Sequence, residues 1–428
     1  MGVHFKFWKK ECILLYDTKT VRINEVLSIK NGIAGTIALN LSANFFPLFA
    51  IEVLDANNYQ VGLISSLPAF IGIFTTLIAA VLINRLNEKK RFTMYSTIIT
   101  RVFIALMIFV PYINTKYSSW VFVILIAVMN LPGTFFTLSW QAFIGDLIPD
   151  DRRNSFFGKR NKQLTFVAMI VTLIAGVVMK EQSSSNALPY QILFIIAFAF
   201  GIIETYYLSK HVEIKANDSL IEKVSLFSKR LFRHKPYFTF LICGLFFNFS
   251  WQMAWSLFNI YQIRFAHADA FWISIFIVAN QLTQVFSYPI WSRLADRWGN
   301  AKMIVWATFG MALAPVLTIL SVNLYYLVAI NFVTGFFLAG TVLLLFNRLL
   351  EVSEDDYRTS YITNYNFLLS FIAFLAPQFG VFLLEFFNMN VAMITATILR
   401  ILSAVLFGFV AYGMGRKVLK KYNIQKIS

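Results

Sequence analysis

Ser292-Arg-Leu-Ala-Asp-Arg-Trp-Gly-Asn-Ala-Lys302 is a charged hairpin between two long apolar runs, and it is the main sequence evidence for the fold. An earlier hairpin, Leu82-Ile-Asn-Arg-Leu-Asn-Glu-Lys-Lys90, also joins two apolar runs. Three positions align when the two hairpins are superposed: Asn84 with Asp296, Arg85 with Arg297 and Lys90 with Lys302. A chain that repeats its hairpin at half its length is predicted to contain two copies of one unit.

The later hairpin resembles the signature loop of the major facilitator superfamily, Gly-x-x-x-Asp-Arg-x-Gly-x-basic-basic. The matching residues are Asp296, Arg297, Gly299 and Lys302, whereas Ser292, Asn300 and Ala301 depart from the pattern. The resemblance implies an all-α polytopic membrane protein with 12 transmembrane helices in two pseudo-symmetric six-helix bundles. Parallel repeats of this kind are related by an axis normal to the membrane.

Composition independently indicates a membrane protein. Of the 428 residues, 58% are hydrophobic and only 14% are charged, which is too apolar for a soluble domain of this size. The net charge of +16 does not indicate nucleic-acid binding, because the basic residues lie in short loops between apolar segments.

Twelve apolar stretches are about 20 residues long, the length that crosses a bilayer. They are 30–53, 61–84, 92–113, 119–145, 163–180, 189–208, 237–262, 270–291, 303–322, 325–347, 362–387 and 391–414. Each is predicted to be helical despite Pro68, Pro132, Pro315 and Pro377, because the hydrocarbon region offers no water to satisfy the backbone.

The loops predict the orientation and the domain boundaries. Of the 37 Lys and Arg residues, 32 lie in segments on one side of the spans, so both termini are predicted to be cytoplasmic in the cell membrane. The long polar connection divides the spans into six and six. The predicted segments are a cytoplasmic amino-terminal segment (1–29), a first bundle (30–208), a linker (209–236), a second bundle (237–414) and a cytoplasmic tail (415–428).

Two further internal matches support the duplication. Residues 150–161 align without gaps on residues 355–366 with five identities in twelve positions, and Asn40-Leu-Ser42 aligns on Asn248-Phe-Ser250. One register, with offsets between 205 and 212, therefore explains all three matches.

The resemblance implies that spans 1, 4, 7 and 10 line a central cavity, and polar residues at helical spacing occur in each of them. The predicted substrate-binding residues are Asn40, Asn44, Asn130, Thr134, Thr137, Gln141, Asn248, Gln252, Trp255, Asn259, Asn331 and Thr334, joined by Gln281 and Gln284 of span 8. The alternative is that these amides and hydroxyls only link neighbouring helices. Because the set carries no charge, it favours a neutral or delocalised ligand over a phosphate or dicarboxylate.

The charged hairpins predict a cytoplasmic gate. In the superfamily each hairpin packs onto the start of a span in the other half, so the basic first hairpin should meet acidic residues and Asp296 should meet arginines. The predicted gate residues are Asn84, Arg85, Lys90, Arg152, Arg153, Asp296, Arg297, Gly299, Lys302, Asp355 and Asp356.

Charged residues near or within the spans are candidates for ion coupling. Arg101 and Arg400 lie near mid-depth, where a charge needs a partner or a path to water. Spans 3 and 12 are peripheral in this superfamily, so a structural pair is favoured over a coupling role. The coupling candidates are Glu52, Asp55 and Arg101, and Glu204 is among the carboxylates that could pair with an arginine.

No enzyme motif is found: His4, His211, His234 and His267 are scattered, and neither a Cys/His cluster nor a phosphate-binding glycine loop occurs. The sequence therefore predicts a secondary transporter, without a cofactor, that acts by alternating access. Its expected partners are a small-molecule substrate, the lipid bilayer and, as a candidate coupling ion, the proton. Efflux of a drug-like or amphipathic compound is the first expectation, and uptake of a neutral polar solute such as a sugar is the second. A non-transporting assembly or sensory partner is the alternative from another class.

Overall fold

The computed structural model describes residues 18–83, 88–148, 150–180, 185–212, 229–354 and 357–425. Every regular element in these ranges is a helix. The α-helices are Thr18–Ser42, Phe46–Glu52, Asn58–Ile83, Lys89–Leu106, Thr115–Leu147, Asp150–Met179, Ala187–Ser209, Lys229–Arg233, Lys235–Met253, Trp255–Ile260, Ala270–Trp298, Asn300–Ala312, Ala314–Ile319, Leu324–Val352, Arg358–Phe386 and Met389–Gln425.

Twelve helical segments in the described ranges are long and apolar enough to cross a membrane, which confirms the predicted number and the all-helical fold class. Spans 1 to 12 are Lys19–Glu52, Asn58–Ala79, Lys89–Tyr112, Thr115–Ile144, Ser155–Met179, Ala187–Ser209, Lys235–Phe265, Ala270–Trp298, Asn300–Ile319, Leu324–Val352, Ser360–Phe386 and Met389–Ala411. The protein is therefore a multi-pass membrane protein.

Two helices begin well before the apolar stretches that predict them. The helix of span 1 begins at Thr18 and that of span 5 begins at Asp150, whereas the hydropathy pattern places their starts at 30 and 163. The early turns are polar, but one side of each is covered: Asn24 and Asn31 are fully buried, and Phe156 is 6% exposed. Hydropathy misses these turns because it averages a buried face with an exposed one.

Three of the four prolines leave their helices continuous, as predicted. Pro68, Pro132 and Pro377 lie inside continuous helices. Span 9, in contrast, is broken at Leu313, just before Pro315, because proline has no backbone N–H to donate. Span 7 is also broken, at Ala254, although no proline lies there. Span 9 is therefore made of two shorter helices, and span 7 is made of two α-helices followed by a π-helical turn, Tyr261–Phe265. The apolar pattern did not predict these breaks.

The chain divides into two compact units. Unit 1 comprises Met1–Asp55 and Ile71–Glu222, and unit 2 comprises Ala56–Phe70 and Lys223–Ser428. The predicted domain boundaries remain a prediction, and residues 1–17, 213–228 and 426–428 of the predicted tails and linker lie outside the described residues.

Aromatic rings pack in the interior of unit 1, and a close glycine contact brings two spans of unit 2 together. In unit 1, Phe49 lies edge-on to Phe122 and Phe194, with ring centroids 5.0 and 5.3 Å apart. In unit 2, Gly335 of span 10 lies against the backbone carbonyl of Asn280 of span 8. No side chain would fit at that glycine, so spans 8 and 10 approach closely through it, as small residues permit in membrane proteins.

Candidate functional site

The polar residues of span 1 are bonded within unit 1. The side-chain amide of Asn44 donates to Asn40 Oδ1 and to the Thr172 hydroxyl, both at 3.0 Å. Asn40 in turn donates to the carbonyl of Thr36 at 2.8 Å. Thr172 of span 5 was not predicted as a site residue, because it is a lone hydroxyl in an apolar run. This cluster links spans 1 and 5, with both amides at its centre.

Span 4 carries a partly exposed polar face. Thr134 donates to Asn130 Oδ1 at 3.1 Å, and Thr137 donates to the carbonyl of Gly133 at 2.9 Å. Gln141, at the end of this stripe, is exposed and forms no side-chain hydrogen bond with any described residue. The hydroxyls of Thr134 and Thr137 therefore form hydrogen bonds within their own helix, whereas the amide of Gln141 forms none with the described residues.

Span 7 contains both a satisfied and an unsatisfied set of polar residues. Asn248 is 3% exposed, and its amide donates to the carbonyl of Gly244 at 2.8 Å and to the Tyr365 hydroxyl of span 11 at 3.0 Å. Both amide hydrogens are thus used inside unit 2. Gln252, Asn259 and Gln262 are only partly buried and form no side-chain hydrogen bond with the described residues.

Trp255 accompanies the unsatisfied amides of span 7. Its side chain is 50% exposed and packs edge-on against Trp251, with ring centroids 6.5 Å apart. An exposed indole beside unbonded amides offers an apolar ring and hydrogen-bonding groups on one helix.

Spans 8 and 10 are joined through Asn280, which the sequence analysis did not select. Its amide donates to the Thr334 hydroxyl at 3.2 Å and to the carbonyl of Asn331 at 3.3 Å, and its Oδ1 accepts from Gln284 at 2.6 Å. The signal was available, because Asn280 precedes Gln284 by one helical turn. Gln281 lies on a different side, and its buried Oε1 has no hydrogen-bond partner among the described residues.

Arg101, a coupling candidate, forms a buried ion pair with Glu204. Its Nε and Nη2 donate to Glu204 Oε2 at 2.9 and 2.7 Å, and the two residues are 3% and 2% exposed. Gly35 of span 1 lies directly against the carboxylate, and Asn31 donates to the backbone carbonyl of Glu204 at 2.8 Å. The pair therefore links span 3 to span 6, and span 1 packs against its carboxylate.

A second arginine approaches the same carboxylate. Arg160 attracts Glu204 electrostatically, and its guanidinium lies 4.3 Å from the centre of the Trp140 ring. The hydropathy pattern predicts a loop at Arg160, because the apolar stretch of span 5 begins at residue 163. The longer helix carries it into the bundle, where two cations share one anion.

Arg400 contacts backbone carbonyls and has no carboxylate partner among the described residues. It is fully buried, and it donates to the carbonyls of Ser250, Trp251 and Met311 at 3.2, 2.8 and 3.0 Å. Met311 precedes Pro315 by four residues, so its carbonyl lacks the usual helical donor. Ser250 and Trp251 lie just before the break at Ala254. Arg400 therefore satisfies carbonyls that the breaks in spans 7 and 9 expose.

Glu52 and Asp55, the other coupling candidates, lie at the end of span 1. Glu52 is partly buried and Asp55 is exposed, with a left-handed backbone at φ 49°. Neither forms an ion pair with a described residue. Within the described residues, moreover, no group of His, Cys, Asp and Glu is arranged to hold a metal ion.

Comparison with known proteins decides the family. The sequence model of the Major Facilitator Superfamily matches residues 32–282 and 266–422. The chain belongs to this superfamily. As a superfamily member with the fold of known transporters, it is a membrane transporter and not an enzyme.

Solved structures of major facilitator superfamily transporters share the fold at low sequence identity. The nucleoside transporter NupG is 13% identical, with a TM-score of 0.67 over 91% of this chain and 98% of that one. A bacterial homologue of the human lysosomal transporter Spinster, solved in an inward-facing and unoccupied conformation, is 12% identical. Its TM-score is 0.65 over 92% of this chain and 96% of that one. No curated protein sequence matches the chain.

The signature hairpin of the superfamily is exposed in this transporter. Asp296 and Arg297 lie at the end of span 8, and Gly299 adopts a left-handed φ of 84° that favours glycine. Lys302 is exposed at the start of span 9. Asp296 forms no ion pair or hydrogen bond with the described residues.

Other predicted gate residues have partners within their own unit. Arg152 pairs with Glu25 at 2.9 Å, and Lys90 donates to the carbonyl of His211 at 3.1 Å. Beside the signature hairpin, Glu351 pairs with Arg348 at 2.8 Å. Asn84, Arg85, Asp355, Asp356 and the side chain of Arg153 lie outside the described residues, so the gate remains a prediction.

His211 is buried just beyond the end of span 6. Its Nδ1 lies 3.0 and 3.1 Å from the carbonyls of Tyr207 and Leu208, and its ring packs edge-on against Phe143. Its Nε2 is buried without a partner among the described residues. Burial lowers the pKa of His211 from 6.5 to about 4, the nearby carbonyls oppose this shift, and the charges of Lys90 and Arg160 add to it.

Protonation of His211 is therefore expected to destabilise unit 1 in acid. Between pH 6.5 and pH 4, His211 is protonated in the unfolded chain but stays neutral in the folded protein. The unfolded state therefore binds more protons, and the free energy of unfolding falls as the pH is lowered. The full effect is about 3 kcal/mol. Thermal unfolding in detergent from about pH 7 to pH 4.5 should show a smaller loss of stability in His211→Gln than in the wild type. The exposed His267 provides the control, and an equal reduction in His267→Asn would refute the assignment to His211.

Proposed function

We propose that this transporter carries a small, uncharged, ring-bearing organic solute by alternating access. Four amides support the proposal: Gln141 of span 4 and Gln252, Asn259 and Gln262 of span 7 form no side-chain hydrogen bond with the described residues. An unpaired amide facing hydrocarbon costs several kcal/mol, so these side chains must meet water or a ligand. Gln141, Gln252 and Asn259 belong to the predicted substrate set, and Gln262 lies one turn beyond Asn259 on the same helix.

The chemistry of this set favours a neutral solute. Its hydrogen-bonding groups are amides, and it includes no arginine or lysine. It therefore lacks the guanidinium and ammonium groups that bind phosphates and carboxylates. The half-exposed indole of Trp255 suits a flat or sugar-like ring. The structural neighbour NupG is a nucleoside transporter. Nucleosides combine a ring with uncharged polar groups, so they are the first probe to test on this chain.

Export of an amphipathic, drug-like compound is the second candidate. The adjacent indoles of Trp251 and Trp255 favour it, because they offer an apolar surface to a large ring system. In either case the charged hairpins, including Asp296, are the proposed gate. The excess of basic residues in one set of loops supports a cell-membrane protein with both termini cytoplasmic. With no nucleotide-binding motif in the chain, an ion gradient, and first of all a proton gradient, is the proposed driving force.

Flux into proteoliposomes tests the proposal. The purified protein is reconstituted, a pH gradient is imposed in either direction, and uptake of a labelled nucleoside, a labelled hexose and a cationic amphipathic dye is measured. Saturable movement of one of the neutral polar solutes supports the proposal. Movement of the dye alone would favour the second candidate, and no movement of either neutral solute in either direction would contradict the proposed substrate class.

Gln252→Ala is expected to raise the KM of the transported solute about tenfold, the effect of losing one hydrogen bond of about 1.4 kcal/mol. Its melting temperature should be unchanged, because the amide has no partner in the described residues. Asn248→Ala is the matched comparison one turn away, and it should lower the melting temperature because it removes the bond to Tyr365. An unchanged KM in Gln252→Ala would remove this residue from the binding set.

A further inference from the structure

An apolar groove runs along the surface of unit 1 between spans 1, 5 and 6. It encloses about 500 Å³. Its floor includes Leu41, Ala175 and Leu193, each less than 9% exposed, and its rims include Ile174 and Ile192, which are 57% and 47% exposed. The groove is therefore a cleft with a buried floor. Much of its volume lies above Ala175, whose side chain is small.

The groove has the depth of one lipid leaflet. Along span 6 it begins at Leu188, the second residue of the helix, and it ends at Phe200. At 1.5 Å per residue this is about 18 Å. Half of a hydrocarbon core of about 30 Å is about 15 Å. The groove therefore starts at a membrane boundary and stops near the bilayer centre.

The lining suits a hydrocarbon chain. Each lining residue has an apolar side chain, so a sugar, a peptide or a polar headgroup placed in the groove would lose its hydrogen bonds with water and gain none. Lys180 follows Met179 of the lining and is exposed at the end of span 5. A lysine at this level stands beside the phosphates of the adjacent leaflet.

We propose that the groove is a binding site for a phospholipid of the leaflet at the connection between spans 5 and 6. One acyl chain lies along the floor at Ala175, and the phosphate lies beside Lys180. The site is separate from the proposed solute-binding amides, which are in spans 4 and 7. The test of the lipid site therefore does not depend on which substrate is transported.

Photolabelling tests the site in the full-length protein. The protein is placed in nanodiscs of phosphatidylcholine that contain a phosphatidylglycerol with a diazirine midway along one acyl chain. After illumination, labelled peptides are mapped by mass spectrometry. Labelling should concentrate in 171–179 and 188–200, and an excess of unlabelled phosphatidylglycerol should abolish it. Ala175→Phe fills the floor and should lower labelling about tenfold.

Ala199→Phe is the matched control, because Ala199 is an exposed alanine of span 6 that does not line the groove. It should leave labelling unchanged. Label spread evenly over all lipid-facing peptides, or a groove signal that unlabelled phospholipid does not reduce, would overturn the proposal. Both results are measured on the wild type, so they hold even if Ala175→Phe fails to fold. Displacement of the probe by the transported solute at its KM would assign the groove to the solute and also overturn the proposal.

Discussion

Glu204→Ala is expected to lower the free energy of unfolding of unit 1 by about 3 to 5 kcal/mol. The substitution leaves the guanidinium of Arg101 buried at mid-depth of span 3 without its anion, and Arg160 loses its attraction to the same carboxylate. Arg101 already has one buried nitrogen, Nη1, without a partner in the described residues. A charge that loses its partner inside a membrane protein has no water to replace it. The measurement is thermal unfolding in detergent, together with the yield of folded protein.

The double variant Arg101→Met, Glu204→Leu separates the ion pair from its individual charges. Replacing both members of a buried pair with apolar residues is often neutral, so the double variant should be more stable than Glu204→Ala. The exposed pair of Arg91 and Glu88 supplies the control, and Glu88→Ala should cost less than about 1 kcal/mol. If Glu88→Ala and Glu204→Ala have equal effects, the buried pair does not stabilise unit 1. If Glu204→Ala stays folded but loses proton-driven flux, the carboxylate serves coupling.

Arg400→Met is expected to destabilise unit 2 by about 3 kcal/mol, because the carbonyls of Ser250, Trp251 and Met311 lose their donors at the breaks of spans 7 and 9. Removing the cost of a buried charge offsets part of this loss. Arg400→Lys keeps the charge but cannot reach three carbonyls with one ammonium group, so it should also be destabilised. Melting temperatures of the two variants in detergent measure the effect.

Pro315→Ala tests whether the break in span 9 is what Arg400 repairs. Alanine restores an N–H that can donate to the carbonyl of Met311, so it should recover about 1 kcal/mol in the Arg400→Met background. The same change in the wild type should have little benefit, because Arg400 already satisfies that carbonyl. An Arg400→Met variant as stable as the wild type would show that desolvation of the guanidinium cancels its three bonds.

The candidate site was predictable from sequence only as a set of helix faces. The stripe in span 7 shows the limit: Asn248 and Gln252 are one turn apart and chemically similar, yet Asn248 bonds to Tyr365 and Gln252 has no partner among the described residues. Spacing identifies the face on which an amide lies, but the residue opposite it comes from another span. Thr172 was missed for the same reason, because its importance lies in the partner that a distant span supplies. Asn280 could have been found from its spacing to Gln284, but its bond to Thr334 could not.

Composition and local spacing were enough to predict that the chain crosses a membrane twelve times as helices and carries the hairpin of its superfamily. These features are local, because a long apolar segment in the hydrocarbon region must form its backbone hydrogen bonds within itself. Three features became visible only in the packed fold. Arg101 pairs with Glu204, Arg400 binds carbonyls exposed at two helix breaks, and certain amides remain unbonded among the described residues. The pairing of a side chain depends on which distant spans come within about 3 Å of it, and helical periodicity does not encode that distance.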